Sequence, residues 1–168
     1  MREIELSQGQ VAIVDDKDYN KLNQYKWYAS YQPSIESYYA ARNTPMKNGK
    51  RKMIYMHRII MNAPSNMQTD HTNHDTLDNR KQNLRICTHR QNGMNRTQHK
   101  NTFLSKYKGV YLQEGKYWHA YITVNQKRAY LGLFKSEINA AKAYNKAARG
   151  HFGNFALLNN IKEVEENV

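Results

Sequence analysis

With 168 residues and a net charge of +12, the chain has room for one ordinary domain or two to three very small ones, and its charge is the footprint of a nucleic-acid binder. A hydrophobic share of 39 % argues against one large core, while 13 tyrosines, whose rings pack with the hydroxyl left wet, favour small surface-rich modules. The single Cys87 excludes an internal disulfide and a cysteine-only zinc site; without a spanning apolar run or a signal-peptide core at Met1-Arg2-Glu3-Ile4, a cytoplasmic protein with no membrane partner is expected.

In chain order, residues 4–6 and 11–14 read as two short strands joined by the turn Ser7-Gln8-Gly9. Asp15-Asp16 opens a short helix through Leu22, its acids placed where the helix dipole favours them. Residues 26–31 and 37–42 alternate as strands around Pro33-Ser34, and the Asn-Gly pair in Lys47-Asn48-Gly49-Lys50 predicts a hairpin returning through 53–56. His57 to Met61 suits one or two helical turns, stopped before Pro64. Residues 1–66 thus form a small α+β platform, with Trp27 and Tyr28 as core rather than DNA contacts, and His57 as a packed imidazole rather than a ligand.

The central segment, 67–97, predicts a strand over 67–71, a loop rich in Asn and Asp over 73–82, a strand over 84–88 and a helix to about Arg96. Thr88 and Gln91 fit a capping box, and Gly93 inside the helix implies a close neighbour there. Residues 98–106 are a polar linker. Over 107–160 three strand runs (108–113, 116–125 and 128–134) are joined by turns at Glu114-Gly115 and Asn125-Gln126-Lys127. Ser136 then caps a helix to about Arg149, ended by Gly150 and Gly153, and 161–168 is an acidic tail. The fold class is α+β, with a three-stranded antiparallel sheet packed on one helix at the carboxy end.

The chemistry concentrates between Asp70 and Asn92. A near-neutral imidazole at His71 can take a proton from water. Asp70 and the Asn92 amide supply hard oxygens that suit Mg2+ (or Mn2+) better than zinc, completed by waters and phosphate oxygens. Asn83 can accept the His71 ring N–H and fix its tautomer. In a regular strand Asp70 and His71 point to opposite faces, so a twist or bulge is needed for both to serve one site. Two other readings of these residues stand: a zinc site from His71, His74, Cys87 and His89, and a polar turn without a site.

Asp70-His71, Asn83-Leu84-Arg85 and Gln91-Asn92, with His57-Arg58 upstream, closely resemble the HNH homing endonucleases of phages and mobile introns, over roughly 53–97. The resemblance implies a ββα-metal nuclease core over 67–97, with His71 as general base, Asn83 orienting it, and Asp70 and Asn92 holding the metal. Structural zinc is not expected.

The stretch from Tyr107 to Asn159 is similar to the plant ethylene-response-factor type of DNA-binding domain: Tyr107-Lys108-Gly109-Val110, Trp118, Tyr130-Leu131-Gly132-Leu133-Phe134, Ala140 to Tyr144, and Leu157-Leu158-Asn159. Such domains lay their sheet in the major groove of double-stranded DNA. The outward positions are then Lys108, Tyr111, Gln113, Tyr121, Thr123, Arg128 and Tyr130, with Trp118 either on the sugar-phosphate backbone or in the core. Tyr, Gln and Thr stand where the plant domains carry Arg, which reads guanine, so the plant target does not carry over.

The expected function is therefore metal-dependent DNA cleavage. One site per chain means that a monomer nicks or cuts in succession and a dimer cuts both strands together, with no protein partner required. The alternatives are a DNA-binding regulator on an inactive nuclease fold and a structural zinc module.

Overall fold

The computed structural model describes residues 1–95, 105–113 and 116–161. Expectations for the helix end at Arg96, most of the linker, the Glu114-Gly115 turn and the tail after 161 lie outside the described residues. The chain divides into two units, Met1–Asn92 and Gly93–Val168.

In the first unit β1 (Arg2–Glu5) pairs antiparallel with β2 (Val11–Val14), and α1 (Asp16–Asn23) follows. A second antiparallel sheet is built from β3 (Tyr28–Gln32), β4 (Ser37–Asn43) and β5 (Met53–Tyr55), with β4 central. Met56, expected at the end of the strand, instead opens α2 (Met56–Met61), where its side chain is fully buried. The hairpin of β6 (Gln68–His71) and β7 (Leu84–Cys87) then leads into α3 (His89–Met94). Thr88 and Gln91 cap that helix reciprocally: Gln91 N–H donates to Thr88 Oγ1 at 3.2 Å, and Thr88 N–H to Gln91 Oε1 at 2.9 Å. Among the described residues nothing lies within 4 Å of where a Cβ would stand at Gly93, so no close approach explains that glycine.

One hydrophobic cluster holds the unit together: Ile4, Ala12, Val14, Leu22, Trp27, Ala40, Met56, Ile60 and Leu84. Leu84 comes from the polar central segment, which has too few apolar side chains to build a core of its own. It shares the core of the platform, and the division expected between residues 66 and 67 is not a boundary between units. Trp27 is core, its Nε1 donating to the Leu22 carbonyl at 2.8 Å.

In the second unit β8 (Val110–Gln113), β9 (Tyr117–Val124) and β10 (Lys127–Phe134) form an antiparallel sheet in the order β10-β9-β8. It packs on α4 (Glu137–Phe152) through Val110, Ala120, Ile122, Ala140, Ala141, Tyr144 and Ala148. The helix runs through Gly150, expected as its end, and stops at Gly153, whose φ of 52° breaks the helical path. Gly109 is required on both counts that matter: φ is +75°, and a Cβ there would collide with the Tyr144 ring and the Tyr121 carbonyl. Asn159 clasps the sheet to the end of the chain, accepting Lys108 N–H at 2.6 Å while its own backbone N–H donates to Asn145 Oδ1 at 2.7 Å.

Candidate active site

Strand register decides which side chains meet. Asp70 stands directly across from Arg85, and His71 across from Leu84, so the carboxylate and the imidazole leave opposite faces of the hairpin. On the first face Arg85 donates from Nε and Nη2 to Asp70 Oδ2 at 2.8 and 2.6 Å. Gln68, two residues before Asp70 and on the same face, accepts the Asn92 amide N–H at 2.7 Å. That bond turns the Asn92 carbonyl oxygen away from Gln68. Asp70 and Asn92, predicted from the sequence as metal ligands, therefore share one side of the hairpin, and both offer the hard oxygens that Mg2+ or Mn2+ requires. Arg85 was not foreseen there.

On the opposite face His71 enters a cluster of rings. His57 meets it edge to face at 5.2 Å between centroids, Tyr39 lies 5.8 Å away, and Tyr55 stacks on His57 at 5.4 Å. Burial lowers the His71 pKa, and the Asn79 amide with the charges of Asp70, Asp75 and Asp78 pulls the other way without cancelling it. The ring is therefore neutral at pH 7 and competent to accept a proton. His57 is buried further, its pKa lowered to about 3 by burial, then by His71 and Arg58. It is a packed imidazole, as expected.

Asn83 is placed differently from its expected role. Its Oδ1 accepts the Thr72 hydroxyl at 2.9 Å and Asn73 N–H at 3.0 Å, and its Nδ2 donates to the Asp78 carbonyl at 2.8 Å. The amide is committed to closing the 72–78 loop. The asparagine that acts on His71 is Asn79, 1 % exposed, with Nδ2 on the Leu77 carbonyl and backbone N–H on the Ile13 carbonyl; its buried Oδ1 takes no hydrogen bond among the described residues. Sequence reasoning missed Asn79, because its position depends on β2 reaching across to residue 79.

The loop is rigid for the same reason. Arg80 grips Asp78 with two bonds of 2.7 Å, holding that carboxyl below its usual range. Lys81 N–H donates to Asp15 at 2.9 Å, and Thr76 bonds the Tyr38 carbonyl. Arg58 secures the approach to β6, donating to the Met67 and Pro64 carbonyls, both at 2.8 Å.

The zinc alternative is not assembled. His89 Nδ1 is engaged by Gln68 at 3.0 Å, Cys87 is buried, and among the described residues no three His, Cys, Asp or Glu side chains gather as a metal-holding group.

In the second unit alternation places Tyr111, His119, Tyr121, Thr123, Arg128 and Tyr130 on the sheet face away from α4. The rings contact one another at 5.2 to 6.1 Å, and the Arg128 guanidinium lies 3.9 Å over Tyr121 and 4.8 Å over Tyr111. His119 joins this face unforeseen, although strict alternation with Tyr121 would have found it. Gln113 belongs to β8; its side chain lies outside the described residues. Two expected members are elsewhere. Lys108 precedes the strand and is half-buried, which lowers its pKa to about 8. Trp118 packs on the helix side with Phe134.

A neutral imidazole next to a carboxylate, with a carboxamide on the carboxylate's side, supplies the residue types of a hydrolytic site for phosphodiesters. The pairing has no bulge, so only the strand end, where β6 stops at His71, lets the two faces serve one phosphate. Comparison with known proteins agrees: residues 55–94 match a family model described as HNH endonuclease. Over 153 residues the chain is 29 % identical to an uncharacterized HNH endonuclease of Acanthamoeba polyphaga mimivirus, covering 91 % of this chain and 76 % of that one. The likeness of residues 55–94 to HNH endonucleases marks the chain as a DNA-cleaving enzyme. Among the described residues no helix is long and apolar enough to cross a membrane.

Proposed function

We propose that the chain is a metal-dependent DNA endonuclease of the homing type, in which Met1–Asn92 cuts and the sheet of the second unit selects the site. The observation that carries the reading is His71: buried, neutral and on the strand that also bears Asp70, with the buried Asn79 acting on it.

His71 takes the proton from the attacking water as the nucleophile approaches phosphorus. Asn79, whose Oδ1 takes no other hydrogen bond among the described residues, can accept the ring N–H, which leaves the second nitrogen with the lone pair that the reaction needs. Asp70 and Asn92 would hold the cation, which would supply positive charge to the phosphate and the leaving 3′-oxygen, with the twist at the end of β6 turning His71 and Asp70 toward the same phosphate. Asn83 keeps the loop that carries Asn79 closed. The outward sheet residues Tyr111, Tyr121, Thr123, Arg128 and Tyr130, with His119, dock on double-stranded DNA; their rings and single guanidinium give contacts different from an arginine-rich reader. One site per chain makes the monomer a nicking enzyme or a sequential cutter.

Supercoiled plasmid incubated with the protein and Mg2+ or Mn2+ tests the reading. Conversion to nicked or linear DNA is expected, and His71→Ala abolishes it while leaving the gel shift intact. Plasmid that is shifted yet never cut would favour a DNA-binding regulator instead.

A further inference from the structure

Between Glu36 and Asp70 the chain contains no acidic residue, and four of its cations, Lys47, Lys50, Arg51 and Lys52, fall within six positions. The structure places them on one rigid element. The β4–β5 ladder pairs Ala41 with Tyr55, Arg42 with Ile54 and Asn43 with Met53. It continues through Thr44 N–H to the Lys52 carbonyl at 2.9 Å and reciprocal 3.0 Å bonds between Lys47 and Lys50. Asn48 and Gly49, at φ 51° and 71°, make the tight turn whose twist matches such a ribbon. Residues 45–53 are all exposed, and among the described residues none of the four cations pairs with a carboxylate. Arg42 differs, because its guanidinium lies 4.0 Å over the Tyr25 ring.

The ribbon is rooted in the active site. Tyr55 at its base stacks on His57, and Tyr39 on β4 packs against His71. From Ala41 to Asn48 the arm extends about 20 Å at a strand rise of roughly 3.3 Å per residue. That reach is about six base pairs of duplex at 3.4 Å each. Four uncompensated charges on a stiff ribbon are costly to keep together without an anionic partner, and the partner of this site is a polyanion.

Resting on the nuclease reading above, we propose that the 44–52 hairpin is a second DNA-binding element, gripping the phosphate backbone of the duplex about six base pairs from the bond that His71 attacks. Lys47, Lys50, Arg51 and Lys52 contact phosphates. The arm fixes where the duplex lies on the nuclease unit without reading sequence.

The full chain is compared with the combined variant Lys47→Ala, Lys50→Ala, Arg51→Ala, Lys52→Ala and with a charge-keeping variant, Lys47→Arg, Lys50→Arg, Lys52→Arg. The alanine variant is expected to raise KM for duplex DNA about tenfold with kcat within about twofold. It should flatten the dependence of log binding constant on log salt by about 3.6, since each of the four neutralised phosphates contributes about 0.9. Ethylation interference at phosphates about six base pairs from the cut disappears in it, and the arginine variant restores all three. An alanine variant with wild-type thermal melting, KM and salt slope would overturn the proposal. Should the wild-type chain bind DNA without cutting it, the nuclease reading falls, and the salt slope alone still decides on the arm.

Discussion

The imidazoles of His57 and His71 meet edge to face, 5.2 Å between centroids, and burial is the first cause that holds both below their ordinary pKa. The consequence is a stability that depends on pH. An unfolded His57 takes up a proton near pH 6.5, whereas the folded ring does so only near pH 3. Between those values the unfolded state binds the extra proton, so stability falls as pH falls, by about 1.4 kcal/mol per pH unit and on the order of 5 kcal/mol in all. Urea midpoints at pH 7, 5.5 and 4.5 measure this. His57→Phe should reduce the slope by about one proton, and an unchanged slope would remove His57 as the cause.

The two asparagines of the loop should separate cleanly. Asn79→Ala removes the amide proposed to orient the His71 ring and is predicted to lower kcat about ten- to a hundredfold at nearly constant KM, in line with the loss of an orienting partner. Asn83→Ala breaks three bonds to Thr72, Asn73 and Asp78 and is predicted to cost about 2–4 kcal/mol of stability. Thermal melts beside steady-state kinetics distinguish the two. A kinetic defect confined to a stable Asn83→Ala protein would return the orienting role to that residue.

Local signals in the sequence located most elements: the Asn48-Gly49 turn, the Thr88–Gln91 cap and the alternation of Tyr121 and Thr123 are each short-range. What was not legible depends on contacts between distant segments. Asn79 meets His71 because β2 pairs with residues 77–79, with Ile13 N–H on the Leu77 carbonyl at 2.9 Å. Leu84 joins the core of Ile4 because the polar segment has none of its own. Arg85 reaches Asp70 through a strand register that no single run of residues displays.

The outward face of the second sheet predicts how its variants behave. Arg128 lies flat over Tyr121, which fixes the guanidinium and gives the pair a shared role. Arg128→Ala and Tyr121→Ala should each weaken binding of duplex DNA about fivefold or more, and the double variant should lose less than the product of the two, because they act as one unit. Trp118→Ala should instead lower the melting temperature, since that ring packs beside Phe134. Fluorescence anisotropy without metal measures the binding. Wild-type affinity in the folded double variant would remove the sheet from DNA recognition.

Arg85 and the cation compete for one carboxylate. Both Arg85 donors converge on Asp70 Oδ2, and the Asp70 side chain is 9 % exposed, so its charge is already balanced before a metal arrives. Removing the guanidinium leaves that carboxylate without its ion-pair partner, which a divalent cation can then supply. Arg85→Ala is therefore predicted to lower stability by about 1–3 kcal/mol in chelator and to recover much of that on adding Mg2+ or Mn2+. Asp70→Asn should abolish the metal-dependent rise in melting temperature together with cleavage. Melting curves across a metal titration separate the cases: tighter apparent binding in Arg85→Ala supports competition at Asp70, and weaker binding would mean that Arg85 helps to build the metal site.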